Sequence, residues 1–504
     1  MSVFLVVATV VAQICTLRVL TALFLGYMGF TWVHDWYRLR HIPGPFWSRW
    51  SIFWVIRDLY KGTYINKLDE LHAQYGPLVC IGPGWVSLSD PNEIRRIHQV
   101  RSPWGRGPAY EGLRLGPGVD ASASVIDKQK HHQIRSKLEP GYYGKGVTQV
   151  HQQVDERIMK MVRIIHDDYT PEKNSQCHGK HLNLSELIHY LLVDTTSSLA
   201  FGRSFGCLDR QEDFHEFIET SVKKLPIFIA ISASPIVQAI MKQPMLKVVM
   251  DWVGLLGPIA LIAKKAAAER FGAEKITQQD MLGAFVAHGI SQEELETETV
   301  VQLIAGSETT MTGILNTMLC LLTAPDAYRK LQSEIDEAIR SGKIRSFPAS
   351  ESEAKSLPYL QAVIKEGLRL LPPAGYIPKG CGHDSEVCGL RVPANVNVDI
   401  SVKSAVRDKA IYGEDADVFR PERWLEVTGT KLFLMDETWR IIFGGPSRWE
   451  CLGKGLALTQ INKVYIELFR QFNFTIVNRG QPFQARGSRT WIITDFIVAV
   501  RARD

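Results

Sequence analysis

One cysteine stands in a glycine-rich stretch, just after an arginine and just before a helix-like run. The stretch is FGGPSRWECLG, which begins at Phe443 and contains Cys451 near its end. Most single cysteines are small buried hydrophobic residues, so the residue type alone assigns no role. The eight cysteines include no CxxC pair and no recurring spacing, which argues against a zinc site and against a disulfide framework. The role of Cys451 therefore depends on the other chemical features of the chain.

A carboxylate and three hydroxyl groups lie together in the middle of a long apolar segment, in the sequence AGSETT from Ala305 to Thr310. Such groups disfavour folding inside a buried helix unless they are paired or used. Ser and Thr can donate to the backbone carbonyl one turn back, and Gly306 lets another group approach the backbone closely. The alternative for Glu308 is a solvent-facing position on a partly exposed stripe.

A pair of oppositely charged residues lies further along the chain, in the string EGLR. The i,i+3 spacing brings Glu366 and Arg369 together on a helix. An ExxR string is common, and without context it indicates an exposed ion pair, which contributes little to stability.

Helices must position these groups, because helical periodicity dominates from about residue 125 to residue 370. A capping box at Ser291–Glu294 begins a segment that reaches Leu322 without a proline, which predicts a helix of about 31 residues, roughly 46 Å long. Because this helix is apolar around most of its circumference, it should run through the core. Strand-like alternation appears late, at residues 472–477, 491–494 and 496–500. The expected fold class is mainly α with a minor β portion.

The N-terminal segment is a candidate membrane anchor. Residues 3–33 carry one charge, Arg18, and exceed the roughly 20 apolar residues that a bilayer span needs. We favour a span from about Leu17 to Trp36, because Arg18 can then snorkel from its far end. A removed signal peptide is the weaker alternative, because the first residues carry no positive charge and no small-residue cleavage site follows.

Two features that follow the apolar segment define its orientation and its boundary. Arg38, Arg40 and His41 place the rest of the chain in the cytosol by the positive-inside tendency. The turn Pro43-Gly44-Pro45 cannot continue a helix and separates the anchor from the globular part. We therefore expect an anchor over residues 1–40 and one catalytic domain over residues 41–504.

The composition is that of an ordinary globular protein. Hydrophobic residues make up 45% of the chain and charged residues 22%, which argues against disorder. The net charge of +5 is too small over this length to indicate nucleic-acid binding, and we exclude that class of function.

Four features occur in a characteristic order and spacing: the long helix with AGSETT, the helix with EGLR, the segment FRPERW at Phe419–Trp424, and the cysteine loop. Together they resemble the haem-thiolate monooxygenases of the cytochrome P450 superfamily. The resemblance covers nearly the whole chain. The chain is similar in detail to membrane-anchored microsomal members, in particular those of filamentous-fungal secondary metabolism. It implies the cytochrome P450 fold, a helical haem domain with a long central helix.

The resemblance implies that Cys451 is the axial thiolate ligand of haem iron, in heme b (iron protoporphyrin IX). Glycines 444, 445 and 453 would let backbone N–H groups approach the sulfur, and the following helix would aim its positive end at it. The loop departs from the common form FxxGxRxCxG, because Arg448 lies three residues before Cys451 and Phe443 lies eight before it. The inserted residue leaves open whether Arg448 reaches a haem propionate.

Further residues match the family's propionate partners. His131 and Arg135, spaced i,i+4, correspond to its (W/H)xxxR pair, and without the family they would be surface residues. Lys379 falls where many relatives have an arginine, although a lysine is a single-point donor.

The resemblance also implies a buried triad of Glu366, Arg369 and Arg423 that holds the haem-side core together. Its role should be structural, because removing one member would leave an unpaired buried charge.

Glu308 and Thr309 match the acid–alcohol pair on the distal side of the haem. With ordered water they would deliver protons to dioxygen, for which Gly306 would open room. The implied activity is the insertion of one oxygen atom from O2 into an apolar small molecule. The protein would supply orientation, protons and exclusion of water, while the cofactor supplies the chemistry.

We expect the electrons to come from a separate partner, because the sequence up to residue 504 shows no FMN or NADPH segment. We expect an NADPH-cytochrome reductase of the endoplasmic reticulum membrane, or a cytochrome b-type donor. Five basic residues would offer it a basic proximal face, unless they form an ordinary solvated charge run. They are Lys128, Lys130, Arg135, Lys137 and Lys454.

The substrate is expected to be apolar and moderately large, because the segment Leu225–Ile231 is strongly apolar and could border an access channel. A polyketide, terpenoid or alkaloid intermediate fits the fungal type of cysteine loop. Two alternatives remain: a haem-thiolate isomerase or dehydratase that needs no reductase, and a non-catalytic haem-binding membrane protein.

Overall fold

The computed structural model describes residues 33–147, 150–170, 180–245, 256–272 and 279–503, and four single positions before residue 33. Most of the predicted membrane anchor therefore lies outside the described residues. Within the described residues, no single helix combines the length and the hydropathy of a bilayer span. One pair of helices together has the length and composition of a span but is bent by 90° at the break between them. The two helices are Phe214–Ser232 and Pro235–Met241.

Helices make up most of the described chain, as the periodicity predicted. In chain order they are α1 (Phe53–Lys61), α2 (Tyr64–Tyr75), α3 (Pro91–His98), α4 (Lys128–Tyr142), α5 (Val150–Tyr169), α6 (Leu184–Phe201), α7 (Cys207–Arg210), α8 (Phe217–Glu219), α9 (Leu225–Ser232), α10 (Pro235–Met241), α11 (Gly257–Phe271), α12 (Met281–Ala287), α13 (Gln292–Leu322), α14 (Pro325–Arg340), α15 (Glu351–Lys355), α16 (Pro358–Leu370), α17 (Val402–Val406), α18 (Lys409–Tyr412), α19 (Gly429–Trp439) and α20 (Lys454–Gln471). Short 3-10 segments and one π-helical turn, Thr220–Lys224, connect some of them.

The strands form a minor portion of the described chain. They are β1 (Leu78–Gly82), β2 (Trp85–Leu88), β3 (Gly105–Arg106), β4 (Leu182–Asn183), β5 (Tyr376–Gly380), β6 (Ser385–Val387), β7 (Leu390–Val392), β8 (Asn397–Ser401), β9 (Phe472–Ile476), β10 (Gln484–Gly487), β11 (Trp491–Thr494) and β12 (Ile497–Ala502). A five-stranded sheet has the order β1-β2-β8-β5-β3, a three-stranded sheet the order β4-β12-β9, and β6-β7 and β10-β11 form hairpins. Only β2 and β8 run parallel among these pairs.

The late strands were predicted from the sequence, and β9, β11 and β12 lie within two residues of the expected positions. The five-stranded sheet was not predicted. Its strands β1, β2 and β8 are buried along their whole length, so they lack the alternation of a half-exposed strand.

The central helix α13 has the predicted length of 31 residues and begins with the predicted capping box. The Ser291 hydroxyl accepts a hydrogen bond from the Glu294 N–H, while the Glu294 carboxylate accepts one from the Ser291 N–H. Helices α6, α11, α16 and α20 pack around α13, so it crosses the core of the molecule. This helix places Ala305–Thr310 at the centre of the fold.

Candidate functional site

The cysteine loop is a tight turn between α19 and α20. The Cys451 N–H donates to the carbonyl oxygen of Phe443 at 2.8 Å and closes the loop. Gly444 and Gly445 have φ values of 90° and 81°, a left-handed conformation that strains other residues. A Cβ at Gly444 would also lie 2.7 Å from the carbonyl oxygen of Trp449. These two glycines therefore shape the turn.

The thiol of Cys451 faces an internal space. The residue is exposed, yet burial raises the pKa of its thiol above the usual range, so it lies inside the protein and not on its outer surface. The N–H groups of Gly453 and Lys454 and the charge of Arg135 act in the opposite direction and favour the thiolate. A bound metal ion would complete the deprotonation.

No group of three or more His, Cys, Asp or Glu side chains that could hold a metal ion occurs among the described residues. A metal held by several protein ligands is therefore not built into this part of the chain. A lone desolvated thiol fits an iron that brings its other ligands with it, as haem does.

A cluster of basic side chains lies beside the loop without matching carboxylates among the residues that the structure describes. The Arg106 guanidinium donates to the carbonyl oxygens of Ser122 and Val125, at 2.5 and 3.0 Å. It also lies 4.8 Å above the ring of Trp449. Burial lowers the pKa of Arg106, and within the described ranges no carboxylate lies within ion-pair distance of it.

Lys379 belongs to the same cluster, because its strand β5 pairs with β3 at Arg106. The side chain is buried, and burial together with the charge of Arg106 lowers the pKa of Lys379 to about 7. Its ammonium group forms no hydrogen bond or ion pair with a described residue.

Two buried histidines complete the cluster. The His131 ring lies 4.3 Å from the ring of Trp449, and His98 lies against Gly445. Nδ1 of His131 and Nε2 of His98 are buried without a partner in the described part of the chain. Burial and neighbouring cations lower the pKa of each histidine to about 3. Buried donors and cations without acceptors fit an anionic ligand, and the propionates of haem are such groups.

Arg135 and Arg448 take different positions at this cluster. Arg135 donates to the carbonyl oxygens of Glu450 and Arg448, at 2.5 and 3.3 Å, and so braces the cysteine loop from α4. Arg448 is exposed and lies beside His131 despite the inserted residue. A cavity of about 400 Å³ is lined by Val100, His131, His132, Arg135 and Arg448.

One side of α13 is left uncovered near its middle, and we call this side the cavity side. Ala305 is exposed although it lies in the middle of a core helix, and Thr309, one turn later, is half-buried. The Thr309 hydroxyl donates to the carbonyl oxygen of Ala305 at 2.8 Å. Gly306 was expected from the sequence to open room on this side, but it faces α6, where a Cβ would lie 3.3 Å from Thr196. It instead permits close packing of α6 on α13.

Glu308 is buried, which excludes the solvent-facing alternative. Its Oε1 lies 2.8 Å from Nε2 of His189 on α6. Its Oε2 is buried and has no partner among the residues that the structure describes. The carboxylate of Glu308 therefore meets α6, while Thr309 lies on the same side as Ala305.

The structure brings Glu366, Arg369 and Arg423 together in the core. Arg369 donates to both carboxylate oxygens of Glu366, at 2.8 and 2.9 Å, and Arg423 donates to Oε1 at 2.9 Å. The indole of Trp424 and the backbone N–H of Arg420 complete the shell, at 2.9 and 3.0 Å. The pair is therefore buried as part of the triad that the resemblance implies, and it is not the exposed pair that an ExxR string alone indicates.

Four residues of this site were missed from the sequence: His98, Arg106, His189 and Trp449. Trp449 offered a signal, because it is an aromatic residue inside the cysteine loop. The other three belong to no motif, and only the fold brings them to the site.

Comparisons with known proteins agree with this geometry. The family model for cytochrome P450 matches residues 41–489. The chain is 32% identical over 489 residues to cytochrome P450 monooxygenase ABA1 of Pyricularia oryzae, covering 95% of each chain. It is 30% identical to aba1 of Botryotinia fuckeliana and 28% identical to gsfF of Penicillium aethiopicum, both cytochrome P450 monooxygenases, over 92% and 94% of each chain. The chain belongs to the cytochrome P450 family.

Proposed function

We propose that this protein is a haem-thiolate monooxygenase in which Cys451 ligates the iron and an apolar small molecule is oxidised. Family membership supplies the haem cofactor and the monooxygenase class. When bound, haem with a thiolate ligand activates dioxygen for insertion of one oxygen atom into the substrate. The observation that carries the proposal is the position of the Cys451 thiol. It faces an internal space and accepts hydrogen bonds from the backbone N–H groups of Gly453 and Lys454.

The basic cluster would anchor the propionates of the cofactor. Four of its residues hold buried or cavity-lining cations and donors that have no carboxylate partner in the described ranges: His131, Lys379, Arg106 and Arg448. Phe443 is half-buried, with its ring centroid 5.3 Å from that of Trp439, and would support the loop on the sulfur side. Arg135 would hold the same loop through its carbonyl contacts.

Glu308 and Thr309 would supply protons on the cavity side of α13. The Thr309 hydroxyl is held by the Ala305 carbonyl, which leaves its oxygen lone pairs free to accept a proton-bearing water. Glu308 lies next to it in the chain and is shielded from solvent, so it would act as the proton source behind the hydroxyl.

The substrate would be apolar and moderately large. Leu225 and Ile229 of α9 lie in a hydrophobic cluster with Tyr376, and Ile304 and Trp491 pack against it. Ile304 immediately precedes Ala305, so the cluster extends towards the cavity-facing side of α13. A secondary-metabolite intermediate of the polyketide, terpenoid or alkaloid type fits such a surface, and the relatives are monooxygenases of fungi.

An NADPH-cytochrome reductase, or a cytochrome b-type donor, would dock on the cysteine side of the molecule. The basic residues expected there are mostly neutralised by carboxylates: Lys130 pairs with Asp120, Arg135 with Glu139, Lys137 with Glu294, and Lys454 with Glu450. We infer a docking face of alternating charges. Such a face gives geometric specificity with weaker long-range steering than a uniformly basic patch.

The protein would be anchored in the endoplasmic reticulum membrane by a single span within residues 1–40, with its catalytic domain in the cytosol. The sequence of that segment supports the anchor. Large aromatic residues directly after it are strongly exposed, with Phe46 at 76% and Phe53 at 70% of their full surface. Aromatic side chains at such positions commonly lie in the membrane interface.

The absorption spectrum of the dithionite-reduced protein with carbon monoxide tests this function. A strongly red-shifted Soret band is expected for the wild-type protein and should be absent in Cys451→Ser. A wild-type band at the position of histidine-ligated or neutral-thiol haem would contradict the proposal. Substrate turnover that needs neither NADPH nor reductase would instead support the isomerase or dehydratase alternative.

A further inference from the structure

Helix α6 places a histidine directly behind the acid of α13. His189 and Glu308 are 119 residues apart in the chain, yet Nε2 and Oε1 lie 2.8 Å apart. The two side chains are only 4% and 6% exposed. Their contact lies where α6 and α13 pack closely, two residues along α13 from Gly306, which approaches Thr196 of α6.

The bonding of Glu308 differs from that of a structural carboxylate in the same core. Both oxygens of Glu366 accept hydrogen bonds from Arg369, Arg423 and Trp424. Glu308 has one protein donor on Oε1, and Oε2 is buried without a partner in the described chain. A buried oxygen left without a protein donor is destabilising, and buried polar groups are rarely left so unless they have another use.

The surroundings of His189 restrict the motion of its ring. The ring of Phe217 lies edge-on to it, with 6.5 Å between the centroids. The segment after Phe217 carries two further buried hydroxyls, of Thr220 and Ser221, that have no partner among the described residues.

We propose that His189 is a positioning residue that orients the Glu308 carboxylate and returns a proton to it after each proton transfer. This inference rests on the proposed function, because it assigns a source to the protons that Glu308 supplies. A protonated His189 gives the proton on Nε2 to Oε1 of Glu308, which leaves a neutral imidazole and a neutral carboxyl group. The carboxyl group turns about its Cγ–Cδ bond and releases the proton towards Thr309. Glu308 is then a carboxylate again, and the imidazole takes up a proton from solvent.

His189→Gln tests this role, because glutamine keeps a hydrogen-bond donor for Glu308 but carries no transferable proton. His166→Gln is a matched control: His166 also bonds a side chain between helices, with Nε2 3.1 Å from Oε1 of Gln471, but far along the chain from α13. In His189→Gln we expect unchanged haem content, carbon monoxide spectrum and substrate KM. We expect kcat to fall by about tenfold or more, more peroxide per NADPH, and a changed solvent isotope effect on kcat.

Three outcomes are informative. If His189→Gln matches His166→Gln in kcat, peroxide yield and solvent isotope effect, the pair only packs two helices and the inference is overturned. If wild-type protein lacks the red-shifted Soret band, the proposed function has failed, independently of His189. If His189→Gln does not bind haem, the imidazole ¹⁵N spectra of wild-type protein and Glu308→Gln are compared instead. The inference requires that one Nε2 resonance differ between the two spectra, and identical spectra overturn it.

Discussion

Arg369 donates to both carboxylate oxygens of Glu366, at 2.8 and 2.9 Å, and neither side chain is exposed to solvent. The pair uses the same i,i+3 spacing as many surface pairs, but it lies in the core with Arg423 and Trp424 bonded to the same carboxylate. Removal of the carboxylate therefore leaves the buried Arg369 guanidinium without a carboxylate among the described residues, while Arg423 keeps its ion pair with Asp415 at 2.9 Å.

Glu366→Ala should destabilise the protein by roughly 3–5 kcal/mol and yield protein without haem, because buried Arg369 loses its counter-ion and buried Arg423 loses one of its two. The haem-to-protein ratio and urea unfolding measure the two effects. Glu337→Ala is a matched control, since Glu337 forms an exposed i,i+3 pair with Arg340. That variant should change stability by less than about 1 kcal/mol. Purified Glu366→Ala with a full complement of haem would contradict the structural role.

Thr309→Ala should raise the peroxide released per NADPH consumed, because the hydroxyl on the cavity side of α13 is lost. Thr323→Ala is the control: its hydroxyl also bonds a carbonyl four residues back, that of Leu319 at 2.9 Å, but at the end of the helix. Peroxide and NADPH are measured in the same assay with reductase and substrate. Equal coupling in Thr309→Ala and wild-type protein would argue against a proton role.

Gly444→Ala should distort the cysteine loop, because an alanine would adopt φ near 90° and meet the Trp449 carbonyl oxygen. We expect a loss of about 1–3 kcal/mol and a smaller fraction of thiolate-type Soret band. Gly455→Ala, within α20, is the control, since a Cβ there meets no atom within 4 Å. An unchanged spectrum and unchanged stability in Gly444→Ala would show that the loop tolerates the side chain.

The stability of the haem-free protein should rise with pH because of Lys379. The pKa of Lys379 is about 7 in the folded chain against a usual value of 10.5, so the unfolded chain binds more protons between these values. Burial of the charged ammonium group destabilises the folded chain, and this cost is largest below pH 7. The free energy of unfolding should therefore gain roughly 3–5 kcal/mol from Lys379 between pH 7 and pH 10.5, as the cost disappears. The measured quantity is the difference in unfolding free energy between wild-type protein and Lys379→Met.

The haem-loaded protein provides the control for the Lys379 prediction. A propionate beside the ammonium group would keep Lys379 charged in the folded state, so the pH-dependent difference from Lys379→Met should largely disappear. A difference that persists unchanged after haem is bound would place the propionates away from Lys379.

The sequence alone was sufficient for the features that depend on local order. Capping at Ser291 and the absence of proline up to Leu322 predicted α13 to its length, because helix formation depends on near neighbours in the chain. The order of the Glu308, Glu366, Arg423 and Cys451 segments indicated the family, because ordered motifs are a property of the chain itself.

Only the tertiary structure decided which groups meet across the chain. His189 reaches Glu308, and Arg106 joins Lys379, through helix packing and strand pairing between segments more than 100 residues apart. The sequence likewise did not show that Gly306 faces α6. Helical periodicity indicates which residues share a face, but not which neighbour covers that face. The buried strands β1, β2 and β8 escaped prediction for a related reason, because burial on both faces removes the alternating pattern.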